Sequence, residues 1–240
     1  MKPIIGISVD CKHDPTDARS GGKLSLNWNY AEAVAEAGGV PILIPPTADM
    51  EAVAQLIDGW LIPGGNDIDA AHFGEENHPS VDLIDPARFE GEQKLFEAAS
   101  RDLPIFGICY GCQRVNVHRG GSLIQHLPDV QGRESHTGGV MQEYEIGADS
   151  KIKGIVGEGS IEGKSYHHQG IKELGSGLKA SAMHGDGTIE AIEDPSHPWL
   201  VGLQWHPERT FDDPKTRRIF EDFVKAASAY RDQKRLARTA

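Results

Sequence analysis

The chain has 240 residues, of which 36 are acidic and 24 are basic, so its formal charge is −12 at pH 7. This acidic balance argues against nucleic acids and anionic membranes as partners. Its three cysteines do not suggest a disulfide framework. No charged-then-apolar leader and no apolar run of membrane-spanning length stands out, so we expect a cytoplasmic protein.

Apolar runs alternate along the chain with helix-like segments, without an evident linker or repeat. The predicted strands are Pro3–Val9, Val40–Ile44, Gly59–Ile62 and Ile105–Ile108. The predicted helices cover Asn29–Ala37 and Asp49–Ile57, and two more begin at Asp85-Pro86 and Asp213-Pro214. Residues 138–194 contain short strands and many glycines. This alternation predicts a single α/β domain over residues 1–240, with a mostly parallel central sheet flanked by helices and the site at the carboxyl ends of its strands.

The strand at Ile105–Ile108 runs into Gly107-Ile-Cys109-Tyr-Gly111, which has the Gly-x-Cys-x-Gly form of a nucleophile elbow. The glycines matter because a tight turn from strand to helix leaves no room for β-carbons beside it. A helix that begins near Gly111 would place its N-terminal N–H groups beside the sulfur and favour the thiolate. A buried cysteine is more often a small core residue, so the assignment of Cys109 as a nucleophile requires a base elsewhere in the chain.

A second apolar strand, within residues 199–205, ends at His206-Pro207-Glu208. Pro207 has a fixed φ and no N–H, so the strand should stop there and present His206 at its end. Glu208 can reach back to the imidazole and fix its tautomer. The separate elbow makes a catalytic base a better interpretation of His206 than a structural histidine.

Gly64 and Gly65 follow the predicted strand at Gly59–Ile62, where paired glycines allow the backbone to approach a ligand and point N–H groups at it. Taken alone, the pair is also consistent with an ordinary turn. Residues 67–85 that follow are rich in acids and show little periodicity. A segment of that length in a compact domain is typical of a lid or a binding loop.

Cys109 and Cys112 form a Cys-x-x-Cys pair, which beside a βαβ pattern is typical of thiol-redox proteins. The chain lacks the proline usually found near such a pair, and redox chemistry gives the histidine–glutamate pair no role. A zinc site that uses these cysteines with His167 or His168 lacks a second cysteine pair. Adjacent histidines on a strand also point to opposite faces. We expect no metal and no cofactor, and Cys112 should be a packing residue.

These segments resemble the class I glutamine amidotransferases, through Gly-Ile-Cys-Tyr-Gly-Cys-Gln at 107–113 and Gln-Trp-His-Pro-Glu at 204–208. Further segments are similar to the γ-glutamyl-γ-aminobutyrate hydrolase branch, which is grouped with the C26 peptidases. They are Tyr30, 37–45, 58–69, Asn116, 120–123, Ser-Tyr-His-His-Gln at 165–169, and 186–193. The resemblance implies a flavodoxin-like sheet with a small β-rich insertion after the nucleophile helix.

The resemblance also implies roles for particular residues. Cys109 would be the nucleophile, His206 the base and Glu208 its orienting partner, and the N–H groups of Gly65 and Tyr110 would form the oxyanion hole. The residues implied to contact substrate are Gly64, Gln113, His168 and Gln169. This chain departs from the hydrolase branch at Tyr110 and Cys112, which replace the usual Arg and Met, and at Phe89, where Asp is usual after Arg.

The activity implied is hydrolysis of a γ-glutamyl amide through a γ-glutamyl thioester, with a small γ-glutamyl compound as the partner and a homodimer left open. Two alternatives remain: a glutaminase subunit that supplies ammonia to a synthetase, and a thiol-redox or binding protein. The acids of residues 67–85, if they face the site, would favour a cationic or neutral leaving amine over γ-aminobutyrate. Tyr110 in place of Arg points the same way, and glutamine should be the slowest substrate.

Overall fold

The computed structural model describes the backbone of residues 1–239 and the side chains of residues 1–237. The strands are β1 Ile4–Ser8, β2 Asp10–His13, β3 Gly22–Ser25, β4 Val40–Ile44, β5 Gly59–Ile62, β6 Ile105–Ile108, β7 Ser122–Ile124, β8 Val140–Ile146, β9 Ser160–Ser165, β10 Gly170–Glu173, β11 Lys179–His184, β12 Ile189–Glu193 and β13 Leu200–Leu203. The helices are α1 Trp28–Glu36, α2 Met50–Leu56, α3 Pro86–Ala98, α4 Tyr110–His118, α5 Lys151–Val156 and α6 Pro214–Thr239. The predicted strands β4, β5 and β6 are confirmed to the residue.

Nine strands form the central sheet, in the order β4-β1-β5-β6-β13-β12-β11-β8-β9. The first five are parallel neighbours, and the remaining pairs are antiparallel. Seven of the nine strands consequently point the same way, which confirms the mostly parallel α/β sheet. Because β6 and β13 are adjacent and parallel, the segments that follow their carboxyl ends meet at one edge of the sheet.

The β-rich part of the chain is divided between two places. Strands β8, β9, β11 and β12 extend the central sheet, whereas β7 and β10 form a separate two-stranded sheet. A further hairpin, β2–β3, was not predicted from the sequence. Its residues are mostly exposed and polar, so they carry neither the apolar run nor the alternation that marks a strand.

The two faces of the sheet are covered by different helices. On one face, apolar side chains of α1, α5 and α6 pack with strand residues such as Phe106 and Ile108. On the other face, α2, α3 and α4 pack with residues such as Trp60 and Ile105. Ile105 and Phe106, which are neighbours in β6, thus point into cores on opposite faces of the sheet, as the period of two in a strand requires. None of the helices within residues 1–239 is long and apolar enough to cross a bilayer.

Helix α4 lies unusually close to the sheet at its first turn. A β-carbon on Gly111 would overlap the carbonyl oxygen of Ile62, and a β-carbon on Gly107 would lie 2.5 Å from the carbonyl oxygen of Gly111. Because the obstructing atoms belong to the backbone, no side-chain rotation relieves either contact. The absence of β-carbons at both positions is therefore what lets the helix begin directly above β5 and β6.

This contact gives a stability prediction. Gly111→Ala should lower the free energy of unfolding by about 3 kcal/mol or more, since it forces backbone apart in a packed core. The matched control is Gly154→Ala in α5, where a β-carbon meets nothing within 4 Å and should stabilise by about 0.5–1 kcal/mol. Urea unfolding of both variants measures the difference. Equal stability of the two variants would contradict the close approach of α4 to the sheet.

Candidate active site

Cys109 lies at the turn between β6 and α4. Its φ of 52° and ψ of −107° make it the one non-glycine residue with positive φ among residues 1–239. Such a conformation costs on the order of 1–3 kcal/mol and persists only where the surroundings enforce it. The Cys109 N–H donates to Leu203 O at 2.7 Å, which ties the turn to β13. The predicted elbow is thus present, with the cysteine only 7% exposed.

His206 stands just beyond β13 and lines the same pocket as Cys109, where a β-carbon on Gly64 would lie 3.0 Å from His206 Cε1 and 3.8 Å from Cys109 Cβ. Its Nδ1 lies 2.7 Å from Glu208 Oε1, so Nε2 is the nitrogen available to the sulfur. Glu208 occupies a short 3₁₀ turn, Pro207–Arg209, and its side chain is fully buried. The structure therefore brings together all three residues of the predicted triad.

The charge of His206 follows from these neighbours. Burial alone would lower the pKa of His206, but the Cys109 sulfur and the Glu208 carboxylate raise it to about 10. The imidazole is consequently protonated at neutral pH. A protonated imidazole beside a thiolate sulfur is the pairing that activates cysteine nucleophiles.

Tyr30 completes this arrangement, although sequence reasoning gave it no role. Its hydroxyl accepts a hydrogen bond from the Gly64 N–H at 3.0 Å and lies 3.3 Å from His206 Nδ1. Burial, with the nearby Glu208 and Cys109, raises the pKa of Tyr30 well above its ordinary value, so the hydroxyl stays protonated. Tyr30 thereby joins the glycine turn to the histidine–glutamate pair.

The glycine turn is held from below by Arg88, whose side chain is 1% exposed. The guanidinium donates to Gly64 O at 3.0 Å and to Pro63 O at 2.7 Å. It is oriented in turn by Glu92, through Nε to Oε1 at 3.0 Å. While the Gly64 N–H is taken by Tyr30, the Gly65 N–H has no hydrogen-bond acceptor within the described part of the chain. Gly65 is therefore the residue of this turn with a donor free for a ligand.

Tyr110 follows the nucleophile, but its side chain points away from the sulfur. It is fully buried, and its hydroxyl donates to Glu92 Oε2 at 2.7 Å. Only its backbone N–H, at the first position of α4, remains beside Cys109. The Tyr110 side chain does not line the pocket; the Arg88 guanidinium lies over its ring, 4.4 Å from the centroid.

The pocket at Cys109 has a volume of about 240 Å³. Its lining residues are Asp10, Ser25, Leu26, Asn27, Tyr30, Pro63, Gly64, Gly65, Cys109, Tyr166, His206 and Arg209. Five of these twelve residues thus come from the β2–β3 hairpin and the segment that follows it, including the start of α1. Apart from the triad, Asp10 is the acid and Arg209 the cation of this lining. The Arg209 guanidinium lies over the Tyr166 ring, 4.3 Å from its centroid.

Three residues expected at the substrate do not line this pocket. Gln113 is buried and donates to Gln204 Oε1 at 3.2 Å. His168 Nε2 lies 3.1 Å from Asp67 Oδ2 and its Nδ1 is 3.2 Å from His126 Nδ1. Gln169 is 1% exposed. The structure therefore places Gly64 at the pocket but leaves Gln113, His168 and Gln169 outside it.

The acids of residues 67–85 also lie elsewhere. Asp69 caps the 3₁₀ turn at Ala70–Phe73, Asp85 caps α3, and Asp82 accepts from Asn66. Glu75 Oε1 lies 2.7 Å from Lys172 Nζ. None of these residues lines the pocket, so the expectation that they face the leaving amine is wrong.

Cys112 lies in a packed environment without access to solvent. The thiols of Cys109 and Cys112 are both free, and Cys112 is fully buried against Gly202 of β13. Burial raises the pKa of the Cys112 thiol well above its usual value, which makes it unreactive. The observed environment is that of a packing residue.

Comparisons with known proteins identify the relatives of this chain. A model of the peptidase C26 family matches residues 3–208. A provisionally named glutamine amidotransferase of Mycobacterium tuberculosis is 37% identical over 238 residues, which cover 95% of this chain and 76% of that protein. The γ-glutamyl-γ-aminobutyrate hydrolase PuuD of Escherichia coli K12 is 31% identical over 93% of both chains.

A solved structure supports the fold alone. It is a provisionally named GMP synthase component of Thermoplasma acidophilum, with a TM-score of 0.69, 18% identity and 98% coverage of each chain. The family match, in contrast, spans most of the sequence, including both the cysteine elbow and the histidine–glutamate segment. The chain belongs to the peptidase C26 family, within the class I glutamine amidotransferase-like proteins, which act on γ-glutamyl amide bonds.

Proposed function

We propose that this protein hydrolyses γ-glutamyl amides with Cys109 as the nucleophile, His206 as the acid and base, and Glu208 as the orienting partner. The observation that carries the proposal is the burial of Cys109, His206 and Glu208 together, with His206 Nδ1 2.7 Å from Glu208 Oε1, just beyond the ends of two adjacent parallel strands. The contact between Nδ1 and Oε1 supports the relation of base to orienter, and the shared pocket supports that of nucleophile to base.

The reaction begins when the Cys109 thiolate attacks the γ-carbonyl carbon. The N–H groups of Gly65 and Tyr110 donate to the oxygen as it becomes negative, a contribution of about 3–4 kcal/mol per donor in comparable sites. His206 transfers its proton to the departing amine, which leaves a γ-glutamyl thioester. The neutral imidazole then takes a proton from water, whose oxygen attacks the thioester and releases glutamate.

Tyr30 and Arg88 position the oxyanion donors in this scheme. Arg88 fixes the carbonyls of Pro63 and Gly64, and Tyr30 fixes the Gly64 N–H. The turn is therefore held on both sides before substrate arrives, and the Gly65 N–H needs little reorganisation to meet the developing charge.

The substrate we propose is a γ-glutamyl amide with a cationic or neutral amine as the leaving group. Arg209 provides a positive charge at the pocket wall and suits the α-carboxylate of the glutamyl moiety. Asp10, on the hairpin side, is 42% exposed and lines the pocket, and we place the leaving amine beside it. Asp10, and not the acids of residues 67–85, supports the preference for a cationic or neutral leaving amine. The alternative, a glutaminase subunit that supplies ammonia, uses the same triad and differs in preferring glutamine.

The triad gives a prediction about pH. The proton of His206 is bound below a pKa of about 10 and is lost as the pH rises through it, so kcat/KM should fall there. Glu208→Gln removes a neighbouring negative charge and should move this alkaline limb to lower pH. It should cost roughly 10⁴-fold in kcat, against roughly 10⁶-fold for His206→Ala.

The matched control is Glu158→Gln, which changes a side chain that is 86% exposed and should leave the profile unmoved. The measurement is kcat/KM from pH 5 to about 11 with wild type and each variant. Small and equal effects of His206→Ala and Glu208→Gln would show that the triad is misassigned.

The substrate proposal is tested with four compounds: a γ-glutamyl diamine, a neutral γ-glutamyl amide, γ-glutamyl-γ-aminobutyrate and glutamine. We expect kcat/KM to be higher for the first two than for γ-glutamyl-γ-aminobutyrate and to be lowest for glutamine. Because Asp10 Oδ1 also lies 3.7 Å from Arg88 Nη1, Asp10→Asn should affect kcat/KM for all four compounds. The loss should be about two- to five-fold larger for the diamine than for the neutral amide, as befits a partly exposed charge pair. Glutamine as the best substrate would overturn this assignment in favour of the ammonia-supplying subunit.

A further inference from the structure

A second cluster of ionisable side chains lies outside the pocket at Cys109. His136 comes from the segment before β8, His167 from the turn between β9 and β10, and Glu190 from β12. Their side chains are 0%, 2% and 0% exposed, and one potential ligand atom of each lies within 4.8 Å of the others. Three distant segments thus bring two imidazoles and a carboxylate into one fully buried space.

The atoms that face this space have no hydrogen-bond partner within the described residues. They are His136 Nδ1, His167 Nε2 and both carboxylate oxygens of Glu190. A buried carboxylate without such partners is strongly unfavourable. The atoms are nevertheless close: Glu190 Oε1 lies 3.1 Å from His136 Nδ1 and 3.5 Å from His167 Nε2. Ligand atoms about 2.0–2.2 Å from a tetrahedral zinc ion lie about 3.3–3.6 Å apart, so the 3.5 Å separation matches a shared ion and the 3.1 Å separation has to widen only slightly.

In each histidine, the outer ring nitrogen, which is the one not facing Glu190, has a hydrogen-bond acceptor. His136 Nε2 lies 2.9 Å from Asp186 Oδ2, and His167 Nδ1 lies 2.8 Å from Gln169 O. When each outer nitrogen donates its proton to these acceptors, the inner nitrogen carries the lone pair that a metal needs. Metal-bound histidines almost always have such an outer partner.

Asp186 differs from Glu190 in how its carboxylate is used. Asp186 Oδ1 accepts from the Thr188 N–H and Oδ2 from the Glu134 N–H, both at 2.8 Å. Its oxygens are thereby committed to backbone donors and to His136, whereas those of Glu190 are not. Asp186 is suited to orient a ligand, and Glu190 is suited to be one.

We propose that His136 Nδ1, His167 Nε2 and the Glu190 carboxylate bind a zinc ion. Two neutral imidazoles and one carboxylate form a donor set that zinc accepts, with a fourth position left for another ligand. The positive ion also offsets the buried negative charges of Glu190 and Asp186. This assigns a ligand role to His167, for which sequence reasoning expected none.

The ion would stabilise one wall of the catalytic pocket. Ser165 Oγ donates to His136 O at 2.8 Å, and Tyr166, which lines the pocket, lies between Ser165 and the ligand His167. The Gln204 N–H donates to Glu190 O at 2.7 Å, two residues before the proposed base. The site ties these segments together without touching the reacting atoms, so its role is structural.

The test is metal analysis of the full-length protein after treatment with a chelator, incubation with zinc and removal of unbound ion. Wild type should retain about one zinc per chain and should have a higher Tm with zinc than after chelation. His167→Ala and Glu190→Gln should retain none. Asp186→Asn should still bind zinc, with a Kd raised about 10- to 100-fold, as is typical of a lost outer partner.

Two control variants exclude other sites. His168→Ala removes the neighbouring histidine, which contacts His126 and Asp67, and Cys109→Ala removes the catalytic thiol. Both should retain the zinc. Loss of zinc in either control, with retention in Glu190→Gln, would place the ion elsewhere and overturn the proposal. Wild type that retains no zinc would overturn it without any variant, whether or not the variants fold.

Discussion

The backbone of Cys109 lies in a region of φ that side-chain-bearing residues seldom adopt, and the active-site arrangement depends on that turn being enforced. The enforcement is steric: α4 can begin where it does only because Gly107 and Gly111 lack β-carbons that would meet backbone atoms. The hydrogen bond from the Cys109 N–H to Leu203 O then links the turn to β13. The same bond brings the cysteine next to the strand that His206 follows three residues later.

Burial of charge is the second constraint, and it is managed by pairing. His206 and Glu208 are both nearly inaccessible, where an isolated charge would be strongly unfavourable. The imidazolium lies beside the Glu208 carboxylate, with Nδ1 2.7 Å from Oε1, so each of these two charges has an opposite neighbour. Removing one partner would leave the other charge buried and unpaired. We therefore attribute the positions of these side chains to electrostatics as much as to packing. Arg88 and Glu92 form a second buried pair of opposite charges, next to the glycine turn.

Much of this could be predicted from local sequence. The cysteine elbow and the His-Pro-Glu segment carry their signal within a few residues, and buried strands such as Gly59–Ile62 are short apolar runs. Contacts between distant segments could not be predicted. Tyr30 is 176 residues from His206, and no local spacing marks it as a partner. The same holds for His136, whose ring meets Glu190 only after three distant segments have assembled. The expectation that the acids of residues 67–85 face the pocket fails for a related reason. Their charge is visible in the sequence, but the caps, hydrogen bonds and ion pairs that they form are not.

The central claim is that Cys109 becomes acylated, and trapping the γ-glutamyl thioester tests it most directly. The protein is mixed with a slowly hydrolysed γ-glutamyl amide, quenched in acid during turnover, and examined by intact-protein and peptide mass spectrometry. We expect an added mass of one glutamyl group on the peptide that contains Cys109, in wild type and in Cys112→Ser alike, and no adduct in an inactive Cys109→Ala protein. Full turnover by Cys109→Ala, or an adduct that maps to Cys112, would contradict the account.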